Sequence, residues 1–168
     1  SRDMFIIASE QEGAATSSSG FSTSSGSGPQ YNTTYIAFTL SSGDRIWKED
    51  LQVNGQLGTL HFTDQGFISL PNDGGSTKVN LYDYESASGM WGKKGKGIKI
   101  KGGIYDYIEV EGNLILVTGS GERNFISYLD VNQGLLTFDK PTKIDGRLTF
   151  SEKTPMGLMF ITSEEVNI

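Results

Sequence analysis

Cysteine is absent from the 168 residues, and histidine is reduced to one, His61. Without thiols there are no disulfides, thiolate zinc sites, iron–sulfur clusters or cysteine nucleophiles. One imidazole excludes a multi-histidine metal site, though not a catalytic triad. Proline is scarce, at 4 residues. Positive charge is in deficit: 14 Lys and Arg stand against 20 Asp and Glu, a formal net charge of −6. A domain that grips nucleic acid by its phosphates carries a basic footprint, so nucleic acid is not an expected partner. No run approaches the roughly 18 apolar residues of a transmembrane helix, so no membrane span is expected. The opening run Met4–Ala8 is too short for the apolar region of a signal peptide.

What the chain has is glycine, 22 residues of it, and short apolar runs. A length of 168 residues suffices for one domain with a real core. No stretch holds a helical period. Apolar residues come in runs of four to eight bounded by Gly, Asn, Asp and Ser, the pattern of strands. The runs predict strands at Met4–Ser9, Thr34–Leu40, Gly58–Thr63, Gly66–Leu70, Lys78–Tyr84, Tyr105–Val110, Asn113–Thr118, Asn124–Asp130, Arg147–Ser151 and Gly157–Thr162. Shorter strands are expected at Arg45–Lys48, Met90–Trp91 and Leu135–Phe138. Turn signals such as Asp64-Gln65-Gly66 and Asn132-Gln133-Gly134 separate them. One segment differs. Residues 13–30 are rich in Gly and Ser, with Phe21 as the lone aromatic before Pro29, and read as an insertion too polar to form a core.

The strands recur. Trp47 is preceded by Gly43 at four residues, Thr39 at eight and Ala37 at ten. Trp91 is preceded in the same way by Ala87, Asp83 and Leu81, and Phe138 by Gly134, Asp130 and Tyr128. The markers lie 44 and 47 residues apart, the length of a four-stranded propeller blade. Aspartate at the start of such a turn caps it through the backbone, and glycine supplies a left-handed residue. The aromatic that follows then has a flat peptide surface to cover.

This pattern resembles the tryptophan-docking repeat of the quinoprotein-like (PQQ-like) propellers. The positions that carry the motif here are Ala37, Gly43, Trp47, Asp83, Trp91, Asp130, Gly134 and Phe138. The first copy has Thr39 in place of Asp, the second Ala87 in place of Gly, and the third Gln133 and Phe138 in place of Ser/Thr and Trp. The resemblance implies an all-β array of four-stranded antiparallel blades over residues 1–168, about three and a half in number and part of a larger propeller. It also implies an extracellular or periplasmic setting. Quinone-using relatives hold their cofactor over calcium with Glu, Asn and Asp, but no such set can be matched here. The resemblance therefore implies the scaffold and not the reaction, and no cofactor is expected.

Several side chains invite a functional reading. Lys93, Lys94, Lys96, Lys99 and Lys101 place five of the ten lysines in nine residues. They read either as a solvated inter-blade loop or as a patch for an anionic partner such as an acidic polysaccharide. Tyr105 and Tyr107, two apart on one strand, share a face and read as packing residues or as a sugar-stacking platform. Asn72–Ser76 reads as a hairpin turn rather than a calcium loop, and Glu109 and Glu111 as solvated carboxylates. His61, between Leu60 and Phe62, reads as a packed side chain with a satisfied nitrogen. The functional expectation is a non-enzymatic scaffold for protein interaction. A carbohydrate or small-ligand module and a partial quinone-dependent dehydrogenase are the alternatives. A partner protein or a second copy is expected to cover both ends, including an apolar face from Leu148, Phe150, Leu158 and Phe160.

Overall fold

The computed structural model describes residues 3–12, 31–72, 76–120, 123–138, 140–144, 146, 148–155, 157–163 and 166–167. The Gly/Ser-rich segment 13–30, the turn residues 73–75 and the side chains of Leu148, Phe150, Leu158 and Phe160 lie outside that description. The described chain is all-β, in antiparallel sheets of three to five strands. The first sheet holds β1 (Met4–Glu12), β2 (Tyr31–Thr39) and β3 (Leu51–Asn54) in that order. The second holds β4 (Gln56–Phe62), β5 (Gly66–Asn72), β6 (Ser76–Asp83) and β7 (Ile98–Lys101). The third runs β8 (Gly103–Val110), β9 (Asn113–Ser120) and β10 (Arg123–Asp130). Its outer edge is shared by β11 (Leu135–Leu136) and β12 (Thr142–Ile144), both paired with β10. The last sheet holds β13 (Leu148–Thr154), β14 (Gly157–Thr162) and β15 (Val166–Asn167). Among the described residues no strand of the first sheet pairs with the last, so no ring closure is seen.

The outer strand of each of the first three sheets is broken at the repeat's aromatic. In the first, Arg45 bridges Phe38, the chain leaves the edge at Trp47, and β3 rejoins it opposite Asn32–Tyr35. In the second, Gly89 bridges Tyr82, and β7 rejoins after Trp91. In the third, β11 and β12 flank Phe138. The short strands expected around the aromatics are therefore single bridges or a two-residue pair. The rejoining segments are too brief to stand out from loops in the sequence.

Side-chain alternation assigns each face. On the second sheet, Phe67, Ser69, Asn80 and Tyr82 face the first sheet, while Ile68, Leu70, Val79 and Leu81 face the third. Both faces are covered, which is why β5 is buried along nearly its whole length. One core joins Tyr35, Ala37, Trp47, Val53, Phe67 and Tyr84. A larger one joins Ile68, Leu70, Val79, Leu81 and Ile100 to Ile104, Leu114, Leu116 and Leu129. Each fully buried Leu or Ile contributes about 1.5–3 kcal/mol. The far face of the third sheet carries its own cluster around Ile115 and Val117. The first three sheets thus stack face to face in chain order.

Candidate functional site

The three turns of the repeat have one hydrogen-bond pattern. The amides of Gly43, Ala87 and Gly134 donate to the carbonyls of Thr39, Asp83 and Asp130, at 2.8, 3.0 and 2.9 Å. The donor residues of these turns all have positive φ: 74° at Gly43, 55° at Ala87 and 62° at Gly134. Asp83 Oδ1 accepts from the amides of Glu85 and Ser86, and Asp130 Oδ1 from that of Gln133. The amides of Ile46, Met90 and Thr137 then donate to Ala37, Leu81 and Tyr128, which sets the direction of the next residue, the aromatic.

Each indole lands on the turn of the following sheet. Trp47, 2% exposed, donates from Nε1 to the Tyr84 carbonyl at 2.8 Å and stacks on Phe67 at 5.7 Å and 20°. Ala87, the left-handed residue of that turn, packs on the same cluster. Trp91, 4% exposed, lies against Gly134 so closely that a Cβ there would fall 2.2 Å from its Cδ1. Glycine at 134 is therefore required twice, by its φ and by the ring above it. Phe138 differs: it is 63% exposed, because no turn that would cover it lies among the described residues. The Thr39–Gly43 turn is its counterpart, with open space over Gly43 and Leu40 exposed beside it.

Tyr105 and Tyr107 do not share a face. A bulge between Ile104 and Asp106 inserts one residue and reverses the alternation. Tyr107 points to the second sheet, with its ring edge against His61 at 5.6 Å. Tyr105 points the other way and donates to Asn124 Oδ1 at 2.6 Å. Burial, and next the neighbouring Asp106 charge, raise the Tyr105 hydroxyl above its ordinary pKa. No two-tyrosine sugar platform forms. His61 and Glu109 meet across the seam between β4 and β8, Nε2 to Oε2 at 4.0 Å. Among the described residues no three His, Asp or Glu side chains group as a metal site.

The lysine run is divided by the fold. Lys101 turns to the third sheet, its Nζ 4.3 Å from the Phe125 ring centroid. Lys93 and Lys94 sit exposed in the loop after Trp91. Lys96 and Lys99 instead join Lys78, which the sequence reading did not single out, around a groove of about 390 Å³. Gln52, Val53 and Asn54 of β3 form one wall, and Asn80 and Tyr82 of β6 lie opposite. Strand alternation places 78, 80 and 82 on one face, a signal present in the sequence. That β3 faces them is a tertiary fact. Asn80 is fixed at both ends of its amide: Oδ1 accepts from the Trp91 amide at 2.9 Å, and Nδ2 donates to the Gly95 carbonyl at 2.8 Å. The Tyr82 hydroxyl is raised by burial and lowered in part by its hydrogen bond with Asn80.

In comparison with known proteins, no family model, no curated protein and no solved structure matches this chain.

Proposed function

We propose that the chain is a run of quinoprotein-like propeller blades that acts as a protein-interaction scaffold and not as an enzyme. One observation carries this reading: each tryptophan of the repeat docks on the turn of the next sheet, at Tyr84 and at Gly134. Such docking is modular, since every blade offers one aromatic and receives another. Among the described residues one offer and one receiver are left over, Phe138 and the Thr39–Gly43 turn. Exposed Leu135 beside Phe138 and exposed Leu40 beside Gly43 extend both into apolar patches. The partner is a blade of the same kind, and a second copy of the chain supplies both halves of the contact.

The test is molar mass by light scattering across a concentration series. Mass should rise with concentration, and Phe138→Ser should weaken association by about tenfold or more, the size of an interface anchor. Circular dichroism of the variant should be unchanged, because Phe138 is outside the cores. A wild-type chain that stays monomeric to its solubility limit would remove this reading.

A further inference from the structure

The groove between β3 and β6 has a composition that the scaffold role does not use. Its cationic side chains are Lys78, Lys96 and Lys99, and no carboxylate lines it. None of the three lysines is in an ion pair among the described residues. The concentration of charge is local. Six of the fourteen cationic residues fall between positions 78 and 101, where the acidic residues are Asp83 and Glu85, in a chain whose net charge is −6. Like charges gathered without counter-charge repel one another, and an anion bound among them relieves that repulsion. Between the ammonium groups the lining is amide and hydroxyl: Gln52, Asn54, Asn80 and Tyr82. These groups donate and accept neutral hydrogen bonds.

We propose that this groove binds an anionic oligosaccharide, its acid groups on the lysines and its hydroxyls on the amides. The alternation of ammonium with amide matches a sugar acid, which alternates charge with hydroxyl. Nucleic acid fits less well. Its recognition favours guanidinium forks and stacked aromatics, and the groove has no arginine. Asn80 is held by the two bonds that also position Trp91 and the loop at Gly95, so the floor is set before ligand arrives. Each exposed lysine–acid pair adds at most about fivefold in affinity, so the site is weak and salt-sensitive.

The experiment titrates the 168-residue chain with oligogalacturonate, with a heparin oligosaccharide and with an oligothymidylate of similar length, by calorimetry and amide chemical shifts. One or both saccharides should bind, with shifts centred on Asn80, Tyr82 and Gln52, and the binding should vanish near 1 M salt, where the screening length is about 3 Å. Carboxylate and sulfate ligands are told apart by which saccharide binds. The triple variant Lys78→Gln/Lys96→Gln/Lys99→Gln should lose about tenfold or more, whereas Lys93→Gln/Lys94→Gln, in the same loop but outside the groove, should stay within about twofold. Surface lysine changes of this kind leave folding nearly untouched, and circular dichroism checks it. No saccharide binding, equal loss in the two variants, or tighter binding of the oligothymidylate would each overturn the proposal.

Discussion

Trp47→Ala is expected to destabilise the fold by about 3–5 kcal/mol, the cost of removing a buried indole. The indole is 2% exposed and joins the first sheet to the second, beside the buried Tyr35–Ser69 hydrogen bond. Three contributions are lost together. The ring is stacked on Phe67, it covers the turn at Ala87, and its Nε1 donates to the Tyr84 carbonyl. Of these the apolar burial is the largest, while the hydrogen bond is worth about 1 kcal/mol. Trp47→Phe separates them, because phenylalanine keeps a ring against Phe67 but removes the Nε1 hydrogen bond to the Tyr84 carbonyl. It should therefore cost less than Trp47→Ala and still more than a surface change. Urea denaturation of the three proteins measures the series. A loss below about 1 kcal/mol for Trp47→Ala would mean that the sheets are not held by this contact.

Gly134→Ala should cost about 2–4 kcal/mol, from two causes that a control can divide. Any L side chain at φ 62° meets the left-handed penalty. The added methyl would also enter the Trp91 ring, at 2.2 Å from Cδ1 and 2.4 Å from Cγ. Gly43 occupies the same place in the first turn, at φ 74°, with nothing within 4 Å of a built Cβ. Gly43→Ala thus reports the backbone cost alone, about 1 kcal/mol. The excess at Gly134 over Gly43 is the cost of displacing the indole. Ala87 shows that the turn tolerates a methyl where the ring above has room, since it holds φ 55° against the Trp47 cluster. Equal losses at Gly43 and Gly134 in thermal denaturation would show that Trp91 does not rest on the third sheet's turn.

Alternation and turn chemistry are local, and the all-β character was legible from them. Runs such as Asn113–Thr118 and Gly66–Leu70 are strands because their side chains fit a pleated, covered surface, and the residues between them are those that turns require. The repeat was legible for a related reason. A docking turn needs a residue with positive φ and an aromatic four positions later, and both leave a mark in the sequence at fixed spacing. What the aromatic touches is not written there. Phe138 has the spacing of Trp47 and Trp91, yet it is exposed, because burial depends on a turn that another sheet must bring.

The paired face of Tyr105 and Tyr107 was inferred from period-two alternation, and one inserted residue at the Ile104/Asp106 bulge reversed it. Outside the glycine-containing type, a bulge has no required residue, so sequence pattern does not announce it. The lysine groove illustrates the same division. The sequence alone concentrated positive charge between 78 and 101, and alternation alone aligned Lys78, Asn80 and Tyr82. Only the packing of the first sheet on the second set Gln52, Val53 and Asn54 opposite them, sent Lys101 to Phe125 and left Lys93 and Lys94 outside. Backbone preferences act over a few residues and are read along the chain. Which faces meet is decided by long-range burial, where one displaced strand edge changes every neighbour at once.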